Sequence, residues 1–321
     1  MKVFTRPTYL ILGFLAALTL AGAVQNLNAQ PWSGSDCSYL VVNRSFSQAF
    51  TGTLNMPVYG IPAPPGIGTV PNGGAGFITF LPNHKLGGQV TLAIGQLALI
   101  PDIVFDTNSS VYSLSWDKSM QPSVCSGTMT FIAPGEAPFD FHVVVSPDGR
   151  QIQMIHTDIG LTVGITGYPV EISGCTNRSI HGAYSYTVNG WGMAGGSFSF
   201  LPEQLLGGYF PFVMSGSMAF NPRTPGAGGP DTGSIALSDY YSVNGTILPR
   251  TATGWYSVKP NCTGSAVIVD SANGTQFGLE LFVGNGGKAL YLVNVDYVPG
   301  TPLPMWILGA TLTRMGDFNW P

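Results

Sequence analysis

Two short stretches carry the side chains best spaced for chemistry. Ile152, Met154, His156 and Asp158 alternate along the chain, and Leu290, Leu292, Asn294 and Asp296 do the same 138 residues later. Alternation of this kind puts each quartet on one face of a strand, so that an apolar stripe ends in two polar groups. A His next to an Asp at a cavity rim can transfer a proton, and an Asn next to an Asp can orient a ligand. The simpler role is structural, because an Asp at a strand end commonly accepts hydrogen bonds from the adjoining turn. Glu280 and its counterpart His142 lie on the face opposite Phe277 and Phe139. If those phenylalanines point inward, both ionisable groups face solvent; the reverse would bury Glu280 beside Phe282 and raise its pKa, making it an acid or base. The catalytic candidates are therefore His156, Asp158, Asn294, Asp296 and Glu280, with an enzymatic role the less favoured reading. His84 and His181 have no ionisable constellation around them, and no Gly-x-Ser-x-Gly elbow accompanies the many hydroxyl residues. No cofactor-binding or metal-binding pattern is expected.

The elements that must position these residues repeat. Phe139, Phe141, Val143 and Val145 alternate ahead of Asp148-Gly149-Arg150, just as Phe277, Leu279, Leu281 and Val283 precede Gly286-Gly287-Lys288, so each quartet belongs to the second arm of a β-hairpin. Other segments also recur. Gly76–Gly88 (GFITFLPNHKLGG) matches Gly196–Gly208 (GSFSFLPEQLLGG) at an offset of 120, Asn43-Arg44-Ser45 matches Asn177-Arg178-Ser179, and Tyr112-Ser113-Leu114 matches Tyr256-Ser257-Val258. Shifting offsets imply a duplicated domain with loop insertions, expected at Asn55–Pro71 and Asn221–Gly233, rather than a solenoid. Further strand-like runs fall at Phe46–Leu54, Gly76–Leu81, Gln89–Leu99, Ser110–Trp116, Gly127–Ile132 and Leu161–Val170. The expected fold is all-β, with about eight antiparallel strands per copy. Such a copy hides its edges by closing into a barrel or by folding into a sandwich.

Composition agrees with many turns and few helices: 43 Gly and 25 Pro among 321 residues, with only 9% charged. The 45% hydrophobic fraction argues against disorder. Lys2 and Arg6 precede an apolar run from Tyr9 to Leu20, the plan of a secretory leader over residues 1–29, cleaved after Ala23 or Ala29. The run is short for a spanning helix, so contact with a membrane is expected only through an uncleaved leader. The chain is acidic, with 16 Asp and Glu against 12 Lys and Arg and no basic cluster, which excludes nucleic acid as a natural partner. In an exported chain, four cysteines read as two disulfides. The repeat selects Cys37 with Cys125 and Cys175 with Cys262, since each copy then owns one cysteine near its start and one past its middle. Zinc is disfavoured because no Cys-x-x-Cys or paired-His spacing occurs. The domains expected are residues 30–173 and 174–316, followed by a tail, 317–321.

Cys175–Tyr184 (CTNRSIHGAY), Gly254–Ala266 (GWYSVKPNCTGSA), the Gly287-Lys288 hairpin and the closing Gly309–Arg314 (GATLTR) resemble exported bacterial proteins with allene oxide cyclase barrel-like domains. The resemblance covers the second copy; the first departs from it, with Gly167-Tyr-Pro-Val at its close. It implies two tandem eight-stranded antiparallel barrels, one disulfide each, in a protein secreted, periplasmic or at the cell surface. These motifs mark turns and disulfides, and so carry fold rather than chemistry. Three roles follow as expectations: a non-catalytic barrel that binds a small hydrophobic ligand or serves structurally in the envelope, an isomerase or cyclase acting in a barrel cavity, and an adhesion or carbohydrate-binding module recognising a cell-surface component. Trp116, Trp191, Trp255 and Trp306 could supply a sugar-stacking platform for the last, although packing is their commoner use. The low charge also admits a sixteen-stranded outer-membrane barrel, which large Gly/Pro loops and a disulfide within each copy disfavour. An open apolar cavity with a few polar groups would separate a binder or enzyme from a module whose barrels are filled.

Overall fold

The computed structural model describes residues 36–55, 69–95, 98–119, 123–134, 138–158, 161–170, 173–193, 209–225, 231–243, 246–296 and 306–316. The leader, the tail and the repeat segment 196–208 lie outside the described residues. Nine strands make the first unit: β1 (Arg44–Asn55), β2 (Thr69–Leu81), β3 (Lys85–Ile94), β4 (Ala98–Val104), β5 (Val111–Asp117), β6 (Val124–Phe131), β7 (Phe139–Val145), β8 (Ile152–His156) and β9 (Leu161–Val170). Eight make the second: β10 (Gly182–Met193), β11 (Tyr209–Pro225), β12 (Gly233–Val243), β13 (Thr246–Val258), β14 (Thr263–Asp270), β15 (Gln276–Gly284), β16 (Ala289–Asn294) and β17 (Trp306–Gly316). All pairings are antiparallel, and β9 returns to β1 as β17 returns to β10, so both units are closed eight-stranded barrels. Closure leaves neither unit an open edge within its ring. In the first, β4 hangs on β3 outside the ring, and β3 meets β5 through the single pairing Lys85–Val111.

Period two then sorts the side chains. Phe46, Ile78, Phe80, Met129, Phe131, Val143, Ile152 and Met154 fill the first interior; Tyr184, Phe220, Tyr256, Leu281, Leu290 and Leu312 belong to the second. The hairpins of β7–β8 and β15–β16 form as the alternation predicts. Two expectations on strand limits change. The run Gln89–Leu99 is two strands, because the chain turns at Gly95, whose N–H donates to Pro71 O, and returns as β4. Asn221–Pro225, read as loop, continues β11 across a bulge to pair with Gly233.

The disulfides are Cys37–Cys125 and Cys175–Cys262, 88 and 87 residues apart in sequence, and they indicate an oxidising compartment. Each ties a 3₁₀ turn, Ser38–Leu40 or Asn177–Ser179, across one end of its barrel. Beneath it sits an aromatic triad. Phe80 packs edge-on against Phe46 (5.6 Å) and Tyr112 (5.0 Å), and Phe220 against Tyr184 (5.3 Å) and Tyr256 (5.1 Å). The two triads correct the alignment of the copies. β11 pairs with β10 as β2 pairs with β1, which sets Phe80 against Phe220. Asn43-Arg44-Ser45 opens a strand where Asn177-Arg178-Ser179 forms the capping turn. Tyr112 and Tyr256 do correspond.

The floor of the second barrel is held further by Tyr184, whose hydroxyl donates to Gly287 O, and by Tyr256, whose hydroxyl donates to Ile180 O at 2.8 Å. Burial raises the Tyr184 phenol to about 12, so it stays a donor. Replacing Cys175 and Cys262 together by Ala is expected to cost about 4.6 kcal/mol, the chain-entropy figure for a loop of this length. Urea unfolding with intact Cys37–Cys125 measures it.

Candidate functional site

The second barrel holds a polar cluster that the antiparallel register assembles from four consecutive strands. Tyr186 on β10 pairs with Gly216 on β11, Gly216 with Asp239 on β12, and Asp239 with Arg250 on β13. All four positions face inward. Gly216 matters because a Cβ there would lie 2.3 Å from the Asp239 Cβ; its absence lets Tyr186 reach across the strand between them. The Tyr186 hydroxyl donates to Asp239 Oδ2 at 2.5 Å, and Arg250 Nε donates to Oδ1 at 3.0 Å while its Nη2 donates to Oδ2. Asp239 is 2% exposed, and an ion buried to that degree persists only when paired and hydrogen-bonded. Burial and the neighbouring Asp239 charge push the Tyr186 phenol far above its ordinary value, so it remains protonated. The guanidinium carbon lies 5.8 Å from the Tyr241 ring centroid and 5.5 Å from that of Phe277, within cation–π range of both.

Beside this cluster is a cavity of about 60 Å³, lined by Val188, Phe212, Met218, Leu237, Ile268, Leu279 and other apolar side chains, with Tyr186, Arg250 and Asn294 as its polar members. That is room for a few water molecules. Met214 and Met218 line it too, and their unbranched, flexible chains can repack around a larger occupant. The cavity lies toward the end of the barrel opposite the disulfide. The ends of β12 and β14 and the beginnings of β13 and β15 form that rim, with Arg250, Asp270 and Phe277 on its inner face.

The five candidates from the sequence are not brought together. His156 and Asp158 belong to the first barrel, Asn294 and Asp296 to the rim of the second, and Glu280 to its outer surface. His156 is buried in phase with Ile152 and Met154, edge-on to Phe141 at 5.0 Å. Its Nε2 lies 3.0 Å from Asp158 Oδ2, within ion-pair distance though off hydrogen-bond alignment, and neither ring nitrogen has a hydrogen-bond partner among the described residues. The two aspartates share one duty. Asp158 accepts the Asp140 N–H at 3.0 Å and Asp296 accepts the Gly278 N–H at 2.6 Å, equivalent amides on the first arm of each hairpin. Asn294 donates to Gly278 O and to Asp296 Oδ2, both at 3.0 Å. The acceptor role expected of a repeated Asp at a strand end is therefore what the fold uses. Burial works to raise both carboxyls. It prevails at Asp296, but at Asp158 it is outweighed by His156 and the Asp140 amide, so that Asp158 falls below its ordinary value.

Glu280 departs from both alternatives. Phe277 does face inward, yet Glu280 is half-buried rather than solvated, because the outer face of β15 and β16 packs on the first barrel. Phe282, Ala289, Tyr291 and Val293 meet Ala49, Ala75 and Phe77 there, and Gly309 approaches so closely that a Cβ would lie 2.2 Å from Phe50 O. Thr91 Oγ1 of the first barrel donates to Glu280 Oε2. Desolvation, helped by the nearby Asp102 charge, raises its pKa.

Tyr186, Asp239 and Arg250 escaped sequence reading because no strand was assigned in the second copy ahead of Phe277. The signal was present: Asp239 falls in phase with Ile235, Leu237 and Tyr241, and Arg250 with Ala252 and Tyr256. In a chain with 9% charged residues, a charge at an inward position is informative. Among the described residues, no group of three or more His, Cys, Asp or Glu side chains could hold a metal ion. No helix of the described residues is long and apolar enough to cross a membrane. No model of a known protein family matches the chain, and no curated protein matches it.

Asp296→Ala strips the acceptor from a half-buried amide and from Asn294, and is expected to lower stability by about 1–3 kcal/mol, while Asp296→Asn, which keeps an acceptor, loses less; chemical denaturation separates them. A carboxyl raised on folding contributes most below its unfolded value, and that contribution is lost as pH climbs through the folded one. Glu280→Gln is therefore expected to match the parent below about pH 4.5, the ordinary value for Glu, and to exceed it in unfolding midpoint at neutral pH.

Proposed function

We propose that this is an exported, non-catalytic protein of the allene oxide cyclase-like barrel type, whose second barrel binds a small apolar molecule and whose first barrel is chiefly structural. The observation that carries the reading is the contrast between the interiors. The second has an apolar cavity beside one buried polar cluster, the arrangement a binding site for a small molecule requires. The described interior of the first is packed with Phe46, Ile78, Phe80, Met129, Phe131 and Met154. Export is supported by the leader-like residues 1–29 and by the two disulfides, which suit a periplasmic, cell-surface or secreted location.

The absence of turnover follows from the state of the polar groups. A cyclase or isomerase of this architecture needs a base or acid free to exchange a proton with substrate. Asp239 is neutralised by Arg250 and capped by Tyr186, Tyr186 is held in its protonated form, and Asn294 is committed to the β15–β16 hairpin. These groups can orient a ligand, whereas a proton-transfer role would first have to break the cluster.

Native mass spectrometry of the protein purified from its host, followed by organic extraction, tests the reading. A co-purifying small molecule is expected in the parent and absent from Ala310→Leu, which fills the cavity from β17. Recovery of the folded parent with no bound mass counts against ligand binding and leaves the structural role.

A further inference from the structure

Resting on the binding reading above, we infer that the second barrel selects an uncharged ligand whose single polar feature is a hydrogen-bond acceptor, such as a carbonyl or ester oxygen, docked on Arg250 near the rim with its apolar body directed toward the floor.

The donor inventory limits the choice. Arg250 gives Nε and Nη2 to Asp239, and Nη2 also approaches Met214 Sδ at 3.3 Å. Its Nη1 has no acceptor among the described residues, although the side chain lines the cavity. The other polar groups there are committed: the Tyr186 hydroxyl to Asp239, and the Asn294 amide to Gly278 and Asp296. What the site offers a ligand first is therefore the Arg250 N–H, since the carboxylate and amide oxygens of the cluster already accept hydrogen bonds and only the Tyr186 hydroxyl oxygen has no donor. A ligand acceptor fits that N–H.

Charge decides between neutral and anionic acceptors. Arg250 alone would invite a carboxylate, but its charge is already balanced by Asp239 through paired hydrogen bonds. A second carboxylate, Asp270, sits 9% exposed at the end of β14. It is paired with Ala252, one inward position along β13 from Arg250, and its own hydrogen bond shown here comes from the Ala272 amide at 2.8 Å. One guanidinium thus faces two carboxylates. An entering anion would be a third, in an apolar cavity where an uncompensated charge is costly. A carbonyl oxygen takes the free N–H and adds no charge. The aromatic walls Tyr241 and Phe277, which flank the guanidinium, hold it at the rim, so the ligand oxygen stays near the mouth while Ile268, Leu279, Leu292 and Leu312 contact the chain.

Two eight-carbon probes, octan-2-one and octanoate, titrated at neutral pH into isotopically labelled full-length protein, separate the outcomes through the amide resonances of cavity-lining residues. The ketone is expected to bind at least about tenfold more tightly than octanoate, the scale of one hydrogen bond to a charged donor. Asp270→Asn, which removes one negative charge, should narrow that ratio by improving octanoate. Replacing the whole cluster with apolar side chains (Tyr186→Phe, Asp239→Leu, Arg250→Met) avoids stranding a buried charge and should cost the ketone about tenfold. Octanoate binding as well as or better than the ketone overturns the inference while leaving a binding barrel. Unchanged ketone affinity in the triple variant overturns the role of Arg250. If neither probe moves the cavity resonances of the folded parent, the binding reading itself fails, and this inference with it.

Discussion

Closure is the constraint on which everything else here depends. Because β9 hydrogen-bonds to β1 and β17 to β10, every ring strand has two neighbours, and the pleat sends alternate side chains to an interior of fixed width. An eight-stranded ring is just wide enough for side chains to fill or for one small ligand. Two edge-on aromatic triads and two disulfides close one end of each ring in the same way, which is why the copies agree best at Cys, Phe and Tyr positions. The opposite ends share the Asp158 and Asp296 clamps but otherwise diverge, and the polar cluster of the second barrel is found there.

The polar row shows how one scaffold supports different interiors. In the second barrel, Tyr186 stands across Gly216 from Asp239. In the first, the same places hold Gln48, Gly76 and Val90. The glycine is retained, but an apolar Val replaces the Asp, and there is no ion pair to form. A buried ion pair is seldom a net source of stability compared with an apolar replacement. Its presence in one copy and not in the other therefore points to a use beyond folding, and the cavity beside it gives that use a location.

The contact between barrels changes the meaning of outward-facing residues. Phe282, Tyr291 and Val293 would be exposed apolar groups on an isolated barrel; here they are buried against Ala49, Ala75 and Phe77. Glu280 is caught in the same seam. Its raised pKa arises from packing between domains and from Asp102, so a perturbed carboxyl marks an interface here rather than an active site.

Local alternation and the chemistry of cysteine let the sequence by itself determine the all-β class, both disulfide pairs, the two hairpins and the aspartates that clamp them. Those features depend on period two, or on positions that recur about one repeat apart, and a linear reading can see both. Register between neighbouring strands was not legible, and only the tertiary structure supplied it. It set Phe220 as the counterpart of Phe80, placed Glu280 in a seam, and gathered Tyr186, Asp239 and Arg250 into one row. The physical reason is that alternation states which side of a strand a residue occupies but not its height in the barrel. Height is set by closure and by packing of the two ends, and those involve the whole ring at once.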